Sequence, residues 1–207
     1  MITVRFRTRS AVARAMALLV SISACSGSGG GSVQPLLTQP IAPSLAPYVV
    51  TSREIVDQML RMAGVGRDDL VYDLGSGDGR IVIEAARLYG ARGVGFELDA
   101  ELVRQARDNA RQANVSHLVE FHQQDIMTVD VLPASVVTLY LSREANLKLR
   151  PRLLDRLRPG SRVVSHDFDM GDWQPDAVLR VQDEGARFRT LYLWRIRQSR
   201  PSIPTQP

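Results

Sequence analysis

Three carboxylates in this 207-residue chain stand where an apolar run gives way to a turn, and glycines follow the first of them. Asp73 lies in Val71-Tyr72-Asp73-Leu74, after which Gly75, Gly77 and Gly79 alternate with Ser76 and Asp78 before apolar residues resume at Ile81. Glycines at such a turn permit positive φ and let a ligand approach the backbone closely. Glu97 ends Val94-Gly95-Phe96, and Asp125 follows Gln123-Gln124. Further on, Tyr140 and His166 each come at the end of an apolar run. An acid beside a glycine cradle suits a ligand carrying a positive charge. The later pair offers an aromatic wall and an imidazole for the group that reacts.

Two common ligands use a strand, a glycine turn and a helix: dinucleotides and S-adenosylmethionine. A dinucleotide site needs Gly-x-Gly-x-x-Gly. Here Gly75 and Gly77 supply the first two, but the sixth position is Arg80 and the third glycine comes one place early, at Gly79. The Asp73 carboxylate also lies where a pyrophosphate would pass, which disfavours a dinucleotide and favours the ammonium of a methionine moiety. Taken singly, Asp73 is a turn or capping acid, Glu97 a surface carboxylate and Asp125 an Asx-turn residue. Their succession at strand ends, with the glycine loop after the first, points to one site.

The elements that position these residues follow from hydrophobic spacing. A lead-in helix starts near Thr51, with Thr51 and Glu54 at capping-box spacing and Gly64 placed to end it. Strands are expected over 70–74, 94–97, 118–122, 136–141 and 162–165. Helices are expected over 81–89, from Asp99 onward, and after Ser142. Pro151 is expected to divide the last of these, with Leu153, Leu154 and Leu157 facing inward. Two more strands, over 177–181 and 188–196, lack a helix between them and predict an antiparallel hairpin. Alternating strands and helices predict an α/β fold: a mostly parallel seven-stranded sheet with helices on both faces and a C-terminal antiparallel hairpin. Ligands of such sheets bind at the carboxyl ends of the strands, where Asp73, Glu97, Asp125, Tyr140 and His166 fall.

Asp73-Leu74-Gly75-Ser76-Gly77-Asp78-Gly79 resembles the first motif of Rossmann-like class I S-adenosylmethionine methyltransferases. That resemblance implies S-adenosyl-L-methionine as cofactor, with Asp73, Gly75, Ser76 and Gly77 around its methionine part. It also implies Glu97 on the ribose hydroxyls, Asp125 on the adenine amino group, and Leu98 and Ile126 along the ring. A closer resemblance is to the small protein-lysine methyltransferases of the ATP synthase c-subunit and the adenine nucleotide translocase, and their bacterial relatives. It rests on residues 71–83, on Gly90-Ala91-Arg92-Gly93-Val94-Gly95-Phe96-Glu97-Leu98-Asp99, on Val137-Thr138-Leu139-Tyr140-Leu141 and on Arg162-Val163-Val164-Ser165-His166-Asp167-Phe168. Tyr48-Val49-Val50-Thr51 resembles the family's Tyr-Val-Pro-Thr segment, with Val50 in place of proline, and makes Thr51 a cofactor contact.

The composition, 44% hydrophobic and 23% charged, suits one globular domain with appendages. The formal charge of +4 resides in Arg5, Arg7, Arg9 and Arg14, so the rest of the chain is near neutral and no nucleic-acid partner is indicated. Residues 1–25 read as a signal peptide. An arginine n-region precedes about ten apolar residues, too few to span a bilayer, and Ile22-Ser23-Ala24-Cys25 resembles a lipobox. Residues 26–47 are a Gly/Ser/Pro linker, 48–197 the domain and 198–207 a disordered tail. An exported domain held to a membrane by a lipid anchor is the expectation, with a cytoplasmic location if the leader does not function.

Tyr140 and His166 are the candidate catalytic residues. Tyr140 stands where DNA and glutamine amino methyltransferases carry Asn/Asp-Pro-Pro-Tyr, a motif absent here, which disfavours amino-group methylation of bases. His166, Asp167, Asp169 and Asp172 with Trp173 offer an acceptor rim or, less favoured, a metal site. No metal is assigned, and no nucleophilic triad is present. Asn146 has no assigned role. The acceptor is a protein amine such as lysine, or alternatively a small molecule or lipid; a non-catalytic module that keeps the cofactor pocket is the third reading. The oligomeric state is not encoded legibly.

Overall fold

The computed structural model describes residues 51–197. The expected leader, linker and tail, and Tyr48, Val49 and Val50, lie outside the described residues. Four helices, α1 (Arg53–Ala63), α2 (Arg80–Tyr89), α3 (Ala100–Gln112) and α4 (Arg143–Arg156), accompany seven strands. These are β1 (Leu70–Leu74), β2 (Arg92–Glu97), β3 (Val119–Gln123), β4 (Val136–Leu139), β5 (Arg162–His166), β6 (Ala177–Gln182) and β7 (Phe188–Arg195). One sheet takes them in the order β3-β2-β1-β4-β5-β7-β6. The first five strands are parallel, and β7 runs antiparallel between β5 and β6. The predicted hairpin therefore closes the sheet with its second strand inward. Strand order reverses between β1 and β4, which opens the ligand crevice there.

Side-chain alternation divides the core in two. Val71, Val136, Val164 and Leu191 pack with α1, α2 and α3, while Tyr72, Leu74, Val137, Leu139, Val163 and Trp194 pack with Ala145, Leu149 and Leu153 of α4. Each such side chain contributes about 1.5–3 kcal/mol on burial. The same alternation gathers the polar residues. Asp73 shares the face of Val71, Thr138 that of Val136 and His166 that of Val164, so three apolar series each end in a polar group on the α1 side.

Three expectations need correction. The N-cap of α1 is Ser52, whose Oγ accepts from the Ile55 amide at 3.4 Å, so Thr51 is outside the helix. Thr51 is instead drawn inward and is 4% exposed. Pro151 does not divide α4, which runs unbroken through it. A proline there removes one backbone hydrogen bond at a cost of about 3 kcal/mol, but Ala145, Asn146 and Leu149 before it and Leu153 after it are all buried and hold both halves in line. Leu153 and Leu157 are buried as expected, whereas Leu154 is exposed.

Candidate functional site

The glycine loop bends over the end of β2. Gly75 and Ser76 both donate their amides to the Phe96 carbonyl, at 2.8 and 3.0 Å. Gly77 donates to Glu97 Oε2 at 2.9 Å, and Glu97 Oε1 accepts from the amides of Leu98 and Asp99 at 2.7 and 3.1 Å. The Glu97 carboxylate is thereby pinned by backbone on one side, while Oε2 keeps acceptor capacity for a hydroxyl. Gly79 has φ +80°, and a Cβ there would stand 2.5 Å from the Phe121 ring and 2.9 Å from Ala106. Only glycine lets α2 start this close to α3 and β3. Ser76 lies in the loop as expected, but its side chain points toward Gly95, whose ideal Cβ would be 2.6 Å from Ser76 Oγ. That hydroxyl is buried without a partner among the described residues, so it is the backbone of Ser76 that belongs to the cradle.

Asp73 and Thr138 face each other across β1 and β4, and the threonine hydroxyl donates to Asp73 Oδ1 at 2.8 Å. Asp73 is 2% exposed. Burial pushes its carboxyl up to about 7, helped by the charges of Glu97 and Asp78 and opposed by the Thr138 hydroxyl. No cation of the described residues offsets that penalty, so the geometry fits a positively charged ligand group placed beside Asp73. Thr138 was not anticipated as a functional partner. A hydroxyl inside the apolar run Val136-Val137-Thr138-Leu139 was the available signal, since a buried hydroxyl requires a partner.

Asp125 caps the 3-10 turn Ile126–Thr128, accepting from the Met127 amide at 2.9 Å through Oδ1. It is thus the Asx-turn acid of the simple reading, and its Oδ2 makes no hydrogen bond among the described residues. Leu98 is half-buried after β2, and Ile126 is buried against Phe96 and the α4-side core.

Tyr140 follows β4 and stacks on His166 at the end of β5, with ring centroids 3.9 Å apart and planes 25° from parallel. Thr51 Oγ1 lies 3.4 Å from His166 Nδ1, which brings three residues from distant parts of the chain together. Burial pushes His166 down to about 4 and holds the Tyr140 phenol above its ordinary value. Both rings are therefore neutral near pH 7. His166 Nε2 is buried and makes no hydrogen bond among the described residues; Asp167 Oδ2 stands 3.4 Å away. Asn146 is fully buried and straps the exit of β5, donating to Ser165 Oγ and the Phe168 carbonyl at 3.0 Å each.

The acids after β5 do not converge. Asp167 pairs with Arg189 at 3.0 Å, Asp169 with Arg143 at 2.9 Å and Asp172 with Arg150. Among the described residues no group of three or more His, Cys, Asp or Glu is placed to hold a metal ion. Trp173 leaves the expected acceptor rim, because its ring packs 5.5 Å from Trp194 and its carbonyl accepts the Trp194 indole N–H at 2.8 Å.

Residues 73–177 match the family model of the ANTKMT methyltransferase domain. Over 149 residues the chain is 41% identical to the protein-lysine N-methyltransferase of Saccharolobus islandicus REY15A, covering 72% of this chain and 92% of that one. It is 34% identical over 171 residues to the adenine nucleotide translocase lysine N-methyltransferase of Mus musculus, covering 79% and 74%. Among solved structures, one described as an RNA methyltransferase from Salinibacter ruber in complex with S-adenosyl-L-homocysteine superposes with a TM-score of 0.68 at 54% identity, covering 74% of this chain and 97% of that one.

Proposed function

The chain belongs to the ANTKMT methyltransferase domain family, and from that premise we propose that it transfers a methyl group from S-adenosylmethionine to the side-chain amine of a protein lysine. The observation that carries the donor half is Asp73, a carboxyl raised to about 7 by burial with no cation of the described residues to offset it, at the switch point of the sheet. The donor's ammonium supplies that cation. Glu97, already oriented by three backbone amides, accepts from the ribose hydroxyls, each charge-assisted bond contributing about 1.5–3 kcal/mol. Gly75 and Gly77 let the methionine part approach the backbone, with Ser76 holding the loop between them. Asp125 accepts from the adenine amino group, Leu98 and Ile126 flank the ring, and Thr51 closes the site from the α1 side.

Bound S-adenosylmethionine supplies an electrophilic methyl group on a sulfonium. The protein's task is to present a neutral amine in line with it, and alignment accounts for much of the acceleration. Tyr140 and His166 form an uncharged aromatic wall that disfavours an ammonium and so lowers the acceptor's pKa. With its imidazole pushed down to about 4, His166 is a poor base for an ammonium; it serves as a neutral hydrogen-bonding group that orients the amine.

A protein acceptor is favoured over RNA by charge. Of the 26 basic residues, Arg5, Arg7, Arg9, Arg14 and Arg200 lie outside the described residues, which leaves 21 against 22 acidic ones. Arg61, Arg87, Arg104, Arg111, Arg143 and Arg150 each already face an acid. Such a surface offers little to a phosphate backbone. The arginine-rich leader and Cys25 support a lipid-anchored, exported form of the enzyme. Replacing Cys25→Ser should release the protein from the membrane fraction, and unchanged fractionation would remove that part of the reading.

The acceptor is tested by incubating the full-length protein with methyl-labelled S-adenosylmethionine and a bacterial lysate, then separating protein, RNA and lipid. Label in protein, recovered as methyl-lysine after acid hydrolysis, is expected. Label confined to RNA, to lipid or to small molecules would overturn the lysine assignment.

A further inference from the structure

Arg80 occupies the position where a dinucleotide loop would carry its third glycine, and it leaves the loop in two directions. Its Nε donates to Asp78 Oδ1 at 2.9 Å and its Nη2 to Asp78 Oδ2, while Nη1 donates to the Thr51 carbonyl at 2.6 Å. Asp78 is itself anchored, since its backbone carbonyl accepts from Asn109 of α3 at 2.9 Å. A planar guanidinium can grip a carboxylate along one edge and still present another N–H in a fixed direction, which an ammonium cannot do. Thr51 precedes the Ser52 cap and belongs to no helix or strand, so its carbonyl has no place in a regular hydrogen-bond ladder. The contact spans 29 residues of sequence and joins the donor loop to the residue whose hydroxyl meets His166 Nδ1 at 3.4 Å. His166 in turn carries Tyr140 on its face.

We propose that Arg80 is a positioning residue that fixes Thr51 between the glycine loop and His166, so that the order of the donor loop sets the hydrogen-bonding state of the acceptor wall. The inference rests on the methyltransferase reading above. An ion pair that served the loop alone would be complete with Asp78. The additional bond to the Thr51 carbonyl places the Thr51 hydroxyl against Nδ1, and what happens at Nδ1 decides whether the buried Nε2 is a donor or an acceptor. Nε2 makes no hydrogen bond among the described residues and is sealed from solvent, so its state is set by what happens at Nδ1 and bears on the Tyr140 ring stacked over it.

The test uses the full-length chain with S-adenosylhomocysteine as probe. Only three histidines are present, so imidazole nitrogen signals from 15N-histidine labelling can be assigned with a His166→Gln variant. In the unaltered protein His166 should show a single neutral tautomer. Arg80→Met should give averaged tautomers and weaken S-adenosylhomocysteine by about tenfold, because the loop and Thr51 lose the guanidinium that orders them. Arg80→Lys, which keeps the charge without the fork, should fall between. Unchanged His166 signals with affinity within about twofold in Arg80→Met would overturn the proposal. A second measurement needs no variant: the probe should slow hydrogen exchange at the Ile55 and Val56 amides, in the first turn after Thr51. Binding without that protection would also overturn it. Failure of the unaltered protein to bind the probe would instead remove the donor reading, and the tautomer comparison would still decide whether Arg80 governs His166.

Discussion

Thr138 of β4 and Asp73 of β1 are direct cross-strand partners, and the threonine hydroxyl donates to Asp73 Oδ1 at 2.8 Å where the strand order reverses. A carboxyl sealed there with a hydroxyl as its neighbour and no cation of the described residues beside it is held in the protein at a cost to stability. The ligand's positive charge offsets that cost, so binding and stability are linked at one atom.

Asp73→Asn separates the two. The native carboxyl, raised from 3.8 to about 7, holds its proton more tightly when folded than when unfolded. Its contribution to stability is full below about pH 4 and is lost as pH rises through 7. At pH 8 the asparagine variant should therefore be more stable than the native ligand-free protein, by about 2–4 kcal/mol in urea unfolding. It should also fail to bind S-adenosylmethionine.

The same carboxyl makes donor binding release protons. Below about pH 7 Asp73 is protonated, and an arriving ammonium must displace that proton. Affinity should fall by up to about tenfold for each pH step below 7. Calorimetry at pH 6.5 in buffers of different ionisation enthalpy should show net proton release that disappears at pH 8.5.

Glycine substitutions should differ sharply between two left-handed positions. At Gly64 a Cβ meets nothing within 4 Å, and Gly64→Ala should cost about 1 kcal/mol for its φ alone. At Gly79 the added carbon meets the Phe121 ring and Ala106, and Gly79→Ala should cost about 3–5 kcal/mol in thermal or urea unfolding.

His166 works against Asp73 over the same pH range. Its imidazole falls from 6.5 to about 4 on folding, so the unfolded chain binds the extra proton and the contribution of His166 to stability declines as pH falls from 6.5 to 4. That decline amounts to about 3 kcal/mol for this one group. In His166→Gln the unfolding free energy at pH 7 minus that at pH 4 should be lower than in the unaltered protein by roughly that amount, because the opposing Asp73 contribution is then left alone.

The glycine loop and the acids at Asp73, Glu97 and Asp125 were legible because each stands within a few residues of a strand end that hydrophobic spacing reveals. What those acids do was not. The Asp73 environment depends on Thr138, 65 residues away, and on a register that only the folded sheet sets. Thr51 was read as a helix cap because Thr51 and Glu54 have the right spacing; the preference of its side chain for the sheet, with Ser52 capping instead, is a tertiary effect. Pro151 was read as a helix breaker by local preference, and burial on both sides of it prevailed. The neighbours of Trp173 in sequence point to the acceptor rim, whereas Trp194, at the end of β7, holds it half-buried against the edge of the core.

Titration calorimetry of the full-length protein with S-adenosylmethionine tests the central claim most directly, run beside Glu97→Ala. The account predicts measurable binding to the unaltered protein and at least about tenfold weaker binding to the variant, the loss of one charge-assisted hydrogen bond or more. No binding to the unaltered protein, or equal binding to both, would contradict it.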